Sequence, residues 1–237
     1  MEVSLTKTVN SQSLEAIVDF IKQNIIFGRL RPRERLIEEE ITAKFAVSRH
    51  VVRAAMVELE RMGLVTRRPN KGVAVRDFSV EEVEHIYDVR ALLQTEAARR
   101  ISMPAGNSLL SELEDIHAHY CSAHDAGDLQ TVCTLNNIFH QTMWAACGND
   151  CLARLLDQLW TETLGIRCYG IGDPQLLALA RAEHAQMIQC LRSGDRDRFV
   201  VLSSEHMLPS LEAYKRAHGG WSAGKLVTEA ADEKQAS

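Results

Sequence analysis

With 237 residues, 46% of them hydrophobic and 25% charged, the chain has the composition of an ordinary globular protein, long enough for one or two cores. No apolar run approaches the ~20 residues of a membrane-spanning helix, and the opening MEVSLTKTVNSQSLEAIV has no basic start followed by an apolar stretch, so a cytoplasmic protein with no membrane association is expected. The net charge of −5 is unevenly spread, with 14 Lys/Arg against 10 Asp/Glu in residues 1–78 and 13 against 22 in residues 79–237, an asymmetry expected if only the head meets a polyanion.

The first helix is predicted in SLEAIVDFIKQNIIFGRL. Leu14, Ile17, Val18, Ile21, Ile25 and Ile26 recur there at helical spacing, with Ser11 or Ser13 as the cap and Gly28 as the stop. RPRER is a polar connector. IEEEITAKFAV gives a short helix with Ile37, Ile41 and Phe45 on one face. SRHVVRAAMVELERMG gives another, capped by Ser48 and ended by Gly63, with Val52, Ala55, Met56, Leu59 and Met62 as its buried stripe. The period then changes, and LVTRRPNKGVAVRDF reads as a two-stranded hairpin about the turn PNKG.

Helix, helix, turn, helix and wing make a winged helix-turn-helix over residues 8–76. DFSVE, residues 77–81, is a linker. Residues 82–217 read as an all-α bundle, the helices predicted over 80–101, 108–126, 129–147, 150–167, 175–193 and 195–217. Residues 218–237 hold few large apolar side chains and are expected to be disordered. The predicted fold class is mainly α. Six cysteines, none in a Cys-x-x-Cys pair, are expected to act as small buried hydrophobes.

In a helix-turn-helix the second helix enters the major groove by its N-terminal end. Here that end is SRHVVR, and Arg49, His50 and Arg53 project away from the buried stripe. Arginine can bond a guanine edge in bidentate fashion. At the wing, Asn70, Lys71 and Gly72 form a tip that could approach the minor groove or a phosphate, and Arg67 and Arg68 add backbone charge.

The stretch FGRLRPRERLIEEEITAKFAVSRHVVRAAMVELERMGLVTRRPNKGVAV resembles the N-terminal domain of the GntR family of bacterial transcription regulators. The resemblance implies that Arg49 and Arg53 are the main operator contacts and Gly72 the wing glycine. Three positions depart from the family pattern. His50-Val51 stands where Thr-Pro is usual, Glu39 where a basic residue is common, and Lys71 where arginine is usual. A shifted operator preference is expected.

Of the nine histidines, His117, His119 and His124 lie on a polar helix and are expected to be exposed. His140, one turn after Asn136, and His184 and His206 sit near the apolar faces of three different predicted helices. Spacing leaves a metal site and satisfied core histidines both open.

The runs VEEVEHIYDVRALLQTEAARRI, NNIFHQTMWAACGNDCLARLLDQLW and AEHAQMIQCLRSGDRDRFVVLSSEHM are similar to the effector domain of the FadR subfamily, the FCD domain. In many such domains an Asp and three His bind a divalent metal against which a small organic acid sits. By position the resemblance implies Asn136, His140, His184 and His206 as ligands. It also implies Arg90 as a carboxylate clamp in the effector cavity, with Arg167 at the same cavity. Three imidazoles lean toward zinc or nickel, with manganese also open. Asn136 stands where many members have Asp, and Gln94 where they often have Glu.

The expected function is a homodimeric, ligand-responsive repressor that binds a pseudo-palindromic DNA operator and is released by a small carboxylate metabolite. One competing reading is a metal-dependent hydrolase using the same histidines, but no nucleophile motif appears, and Glu183, next to His184, diverges from it by about 100° on a helix. Another is a metal-free regulator in which Asn136 simply hydrogen-bonds His140.

Overall fold

The computed structural model describes residues 2–68 and 72–218, with side chains from residue 12 onward except that of residue 168. Lys71 and, but for His218, the tail at 218–237 lie outside these residues. Two compact units emerge, one formed by the chain up to Asp77 together with Asp157–Cys168, the other by Phe78–Leu156 and the chain from Tyr169 onward.

The first unit opens with α1 (Glu2–Ile26), β1 (Arg35–Leu36), α2 (Glu38–Phe45), α3 (Arg49–Arg61), β2 (Val65–Arg68) and β3 (Gly72–Val75). Ile17, Ile21 and Ile25 of α1 bury against Val52, Ala55, Met56 and Leu59 of α3, and Leu36, Val65, Val73 and Val75 close the core from the sheet. Each fully buried aliphatic side chain contributes about 1.5–3 kcal/mol. The wing is three-stranded, in the order β1-β3-β2 with both pairs antiparallel, Arg35 opposite Ala74 and Val65 opposite Val75. The strand β1, which starts at the last residue of RPRER, was not predicted, because two residues carry no legible alternation.

Ile37 does not share a buried face with Ile41 and Phe45. It holds the extended N-cap position of α2 and is 46% exposed. Ser48 holds the N-cap position of α3, but its side chain makes no capping hydrogen bond.

Residues 157–168, expected within the helical domain, pack with the head. Leu164 joins its core, Glu162 pairs with Arg76, and a Cβ on Gly165 would lie 3.5 Å from Ile25. Local periodicity carries no record of such a distant partner.

The helices that follow the linker are α4 (Val80–Arg100), α5 (Asn107–Asp125), α6 (Leu129–Ala145), α7 (Asp150–Glu162), α8 (Leu164–Ile171), α9 (Pro174–Ser193), α10 (Arg196–Glu205) and α11 (Leu208–His218). Side chains cap several of them. Ser79 accepts from Glu82 N, Asp128 from Thr131 N, Asp173 from Gln175 N and Leu176 N, and Asp195 from Arg198 N. Within the second unit, α4 packs on α6, α10 and α11, while α9 packs on α5 and α10.

Two predicted helices are broken. The one over 150–167 divides at Thr163, whose hydroxyl donates back to Leu159 O at 2.8 Å. The one over 195–217 divides at His206 and Met207. Pro209 explains the second break, since its ring would clash with the carbonyl four residues earlier, and α10 ends at that residue, Glu205.

Among the cysteines, Cys133, Cys147 and Cys190 are buried as expected, Cys121 is half-buried, and Cys151 is exposed. No helix among the described residues is long and apolar enough to cross a membrane.

Candidate functional sites

In the first unit, Arg49, His50 and Arg53 occupy the first turn and a half of α3 and are exposed. Their neighbours Val51 and Val52 point inward, which fixes α3 against the core. Neither arginine is alone. Arg49 Nη2 lies 3.4 Å from Glu39 Oε1, and Arg53 Nε donates to Glu38 Oε2 at 3.0 Å. Glu39, which stands where a basic residue is common in the family pattern, pairs with the recognition helix instead, and α2 presents both carboxylates to α3.

At the wing, Arg67 and Arg68 are exposed on β2, and Arg67 Nε is 3.5 Å from Glu60 Oε2. Gly72 has φ +77, a left-handed conformation that favours glycine. A Cβ there would lie 3.7 Å from Arg35 Nη2, so Arg35 of β1 is a wing cation that sequence reasoning missed. Arg35, Glu38, Glu39 and Gly72 line one groove between wing and α2.

In the second unit, three histidines from three elements meet. His140 lies on α6, His184 on α9, and His206 forms the C-cap of α10. One nitrogen from each falls within 4.8 Å of the others. His184 Nε2 and His206 Nε2 are 3.2 Å apart. His140 and His184 are 2% and 0% exposed, so water contributes little to their energetics.

The walls are aromatic. Phe139 stacks on His184 with centroids 4.4 Å apart, and Tyr120 meets it edge-on at 5.2 Å. Burial, followed by the neighbouring His206 and His117, holds the His184 imidazole well below its usual range. It is therefore neutral at physiological pH, the form that can offer a lone pair to a metal.

Asn136 is half-buried one turn before His140 on α6. His117, expected to be exposed, is half-buried instead. Its ring centroid lies 6.1 Å from that of His184, and burial and then Arg181 lower its pKa. Glu183, expected to diverge from the cluster, reaches it, with its Oε2 accepting from His206 Nδ1 at 2.6 Å. The 100° argument holds for His184 on the same helix but not for a partner on α10.

Arg90 is buried on α4, with its guanidinium carbon 4.7 Å from the Tyr87 ring centroid. Burial lowers its pKa against the opposing effect of Tyr87. Gln94, one turn on, is also buried. Arg167 falls in the first unit. Its guanidinium lies 3.7 Å from the Trp160 ring centroid and donates to Trp160 O at 3.1 Å.

A winged helix-turn-helix presenting arginines at the start of its recognition helix, followed by an all-α domain, defines a DNA-binding regulator. The model for "Bacterial regulatory proteins, gntR family" matches residues 14–75, and that for the FCD domain matches residues 85–208. The chain belongs to the GntR family of transcriptional regulators, among those carrying an FCD domain.

Among curated relatives it is 24% identical over 223 residues to a "Probable D-xylose utilization operon transcriptional repressor" of Paenarthrobacter nicotinovorans, covering 93% of this chain and 96% of that protein. It is 22% identical over 218 residues to the "HTH-type transcriptional repressor RspR" of Escherichia coli, covering 91% and 92%. The solved structure of Escherichia coli McbR/YncC shares the fold with a TM-score of 0.74 at 18% identity, covering 87% of this chain and 98% of that one. These families and relatives are transcriptional regulators, not enzymes.

Proposed function

We propose that the protein is a ligand-responsive repressor. As a homodimer it binds a pseudo-palindromic operator through Arg49, His50 and Arg53 of α3, with Arg67, Arg68, Lys71 and Gly72 at the wing. Two curated relatives described as repressors support the sign of the regulation.

A divalent ion, zinc or nickel before manganese, is held by His140, His184 and His206, with Asn136 as a neutral fourth donor. The observation that carries this reading is the convergence of two buried imidazoles and a half-buried third on one point. Two nitrogens bonded to one ion at ~2.0–2.1 Å stand about 3.0–3.4 Å apart, and the His184–His206 separation of 3.2 Å falls in that span. Bound there, the ion supplies a Lewis-acidic anchor for an anionic ligand.

The effector is a small carboxylate, which the buried cation Arg90 clamps through paired N–H donors. Effector binding lowers operator affinity only if the released form binds the effector more tightly.

One observation favours a metal-free variant of this reading. At 3.2 Å, His184 and His206 can hydrogen-bond each other without an ion.

Elemental analysis of protein purified without added metal or chelator separates the two. A stoichiometric ion supports the metal reading, and its absence both before and after metal reloading defeats it. Gel shifts on the operator with a panel of small organic acids test the effector, and equal effector affinity with and without operator would refute the coupling.

A further inference from the structure

We propose that Glu183 positions His206 for the metal and supplies, from behind the imidazole, the negative charge that Asn136 does not bring. This rests on the reading that the histidine cluster holds a divalent ion.

The contact between Glu183 Oε2 and His206 Nδ1 is 2.6 Å long, and the two side chains are only 15% and 10% exposed. A carboxylate accepts and cannot donate, so the imidazole proton resides on Nδ1 and the Nε2 lone pair is left to face His184 Nε2. His206 is thereby fixed in the tautomer that a metal needs.

His184 is treated differently. Its Nδ1 is buried and has no hydrogen-bond partner among the described residues. With the His206 Nε2 occupied as acceptor, His184 Nε2–H is the donor of the 3.2 Å contact. For His184 to offer Nε2 to an ion, its proton would have to move from Nε2 to Nδ1, whereas His206 already holds its proton on Nδ1. One helix therefore provides both a ligand, His184, and the adjacent carboxylate that sets a second ligand 22 residues further along on another helix.

Charge gives the contact a second role. Three neutral imidazoles and an amide oxygen leave the full +2 on the ion. Among the described residues, the group of metal-competent side chains at this point contains histidines only. Glu183 is the carboxylate that touches one of them. A carboxylate behind a metal-bound imidazole raises the basicity of the ligand, and removing such a partner costs ~10–100-fold in metal affinity. The charge usual in the inner shell of this family is moved one group outward.

The test uses the full-length protein, stripped of metal and titrated with Zn²⁺ against a chromophoric chelator. Glu183→Gln keeps the shape and loses the charge, Glu183→Ala loses both, and Asn136→Asp restores charge to the inner shell. The expected results are a loss of about 10-fold or more for Glu183→Gln, a larger loss for Glu183→Ala, and recovery in the Asn136→Asp/Glu183→Gln double variant.

Zn²⁺ affinity unchanged in Glu183→Gln, with the wild type binding, overturns the inference and leaves the metal site standing. Failure of the wild type itself to bind Zn²⁺ overturns both. Long-range ¹H–¹⁵N spectra of metal-free wild type need no variant. They should show His206 as the Nδ1–H tautomer, and an Nε2–H tautomer would overturn the positioning role.

Discussion

Arg49 and Glu39 face each other across α3 and α2 with 3.4 Å between Nη2 and Oε1, and Arg53 and Glu38 repeat the relationship at 3.0 Å. The two arginines placed to read DNA are thus held by the first turn of the preceding helix. Exposed pairs of this kind contribute ~0.2–1 kcal/mol, too little to prevent binding but enough to tax every phosphate contact equally. Glu39→Gln should raise affinity for a scrambled duplex by a few-fold and steepen its salt dependence, with a smaller gain on the operator. Fluorescence anisotropy across a salt series checks this. A loss of operator affinity alone would show instead that Glu39 reads a base.

Recognition and wing arginines should give different signatures. Arg49→Ala removes the proposed base-reading group and should cost about 1–3 kcal/mol, or ~5–150-fold, on the operator while flattening sequence preference at one position. Arg68→Ala removes a phosphate contact, so it should weaken operator and scrambled duplexes alike and reduce the salt slope by about one. Competition gel shifts with single-base operator variants distinguish the two. Unchanged operator affinity for Arg49→Ala would remove α3 from the interface.

Tyr120 links the site to alkaline stability. Burial, then nearby Cys133 and Cys121, push its phenol up to about 12. The folded state therefore keeps this proton where the unfolded chain, with a pKa near ~10, has lost it. The stabilisation is complete below about pH 10 and is lost as pH rises toward 12, a fall of about 2–3 kcal/mol. Urea unfolding between pH 9 and 12 should show that decline in wild type and a shallower one in Tyr120→Phe. Parallel curves would mean the phenol is more hydrated than its burial indicates.

Metal loading should raise thermal stability through mass action, by about 2.7 kcal/mol when free ion stands at 100 times its Kd. His140→Ala should abolish the Zn²⁺-dependent rise in Tm, because it removes one of the three converging nitrogens. A chelator should return wild type to its metal-free Tm. A rise of equal size in His140→Ala would place the ion elsewhere.

The head was largely legible in sequence because its signals are local. The stripe from Val52 to Leu59, the change to a two-residue period after Gly63 and the arginines beside Ser48 are each set by residues a few positions apart. The three histidines were legible singly from spacing, and their meeting only through the family resemblance, since His140 and His206 are far apart in sequence. Glu183 was misjudged because its partner lies on another helix, and the packing of residues 157–168 because they leave the helical unit. The α10–α11 break was signalled by Pro209 in HMLPSL and was read through.

Leu164, buried in the core of the head, arrives from a point in the chain more than eighty residues beyond the linker. Its side chain contributes about 1.5–3 kcal/mol there, and Glu162 beside it pairs with Arg76. The head is accordingly not a cassette. A chimera that splices residues 1–77 onto another regulator's sensor carries away an incomplete core, and a successful transplant must bring the 157–168 segment with it. A swap of operator specificity is therefore better sought by substitutions on α2 and α3 than by exchange of domains.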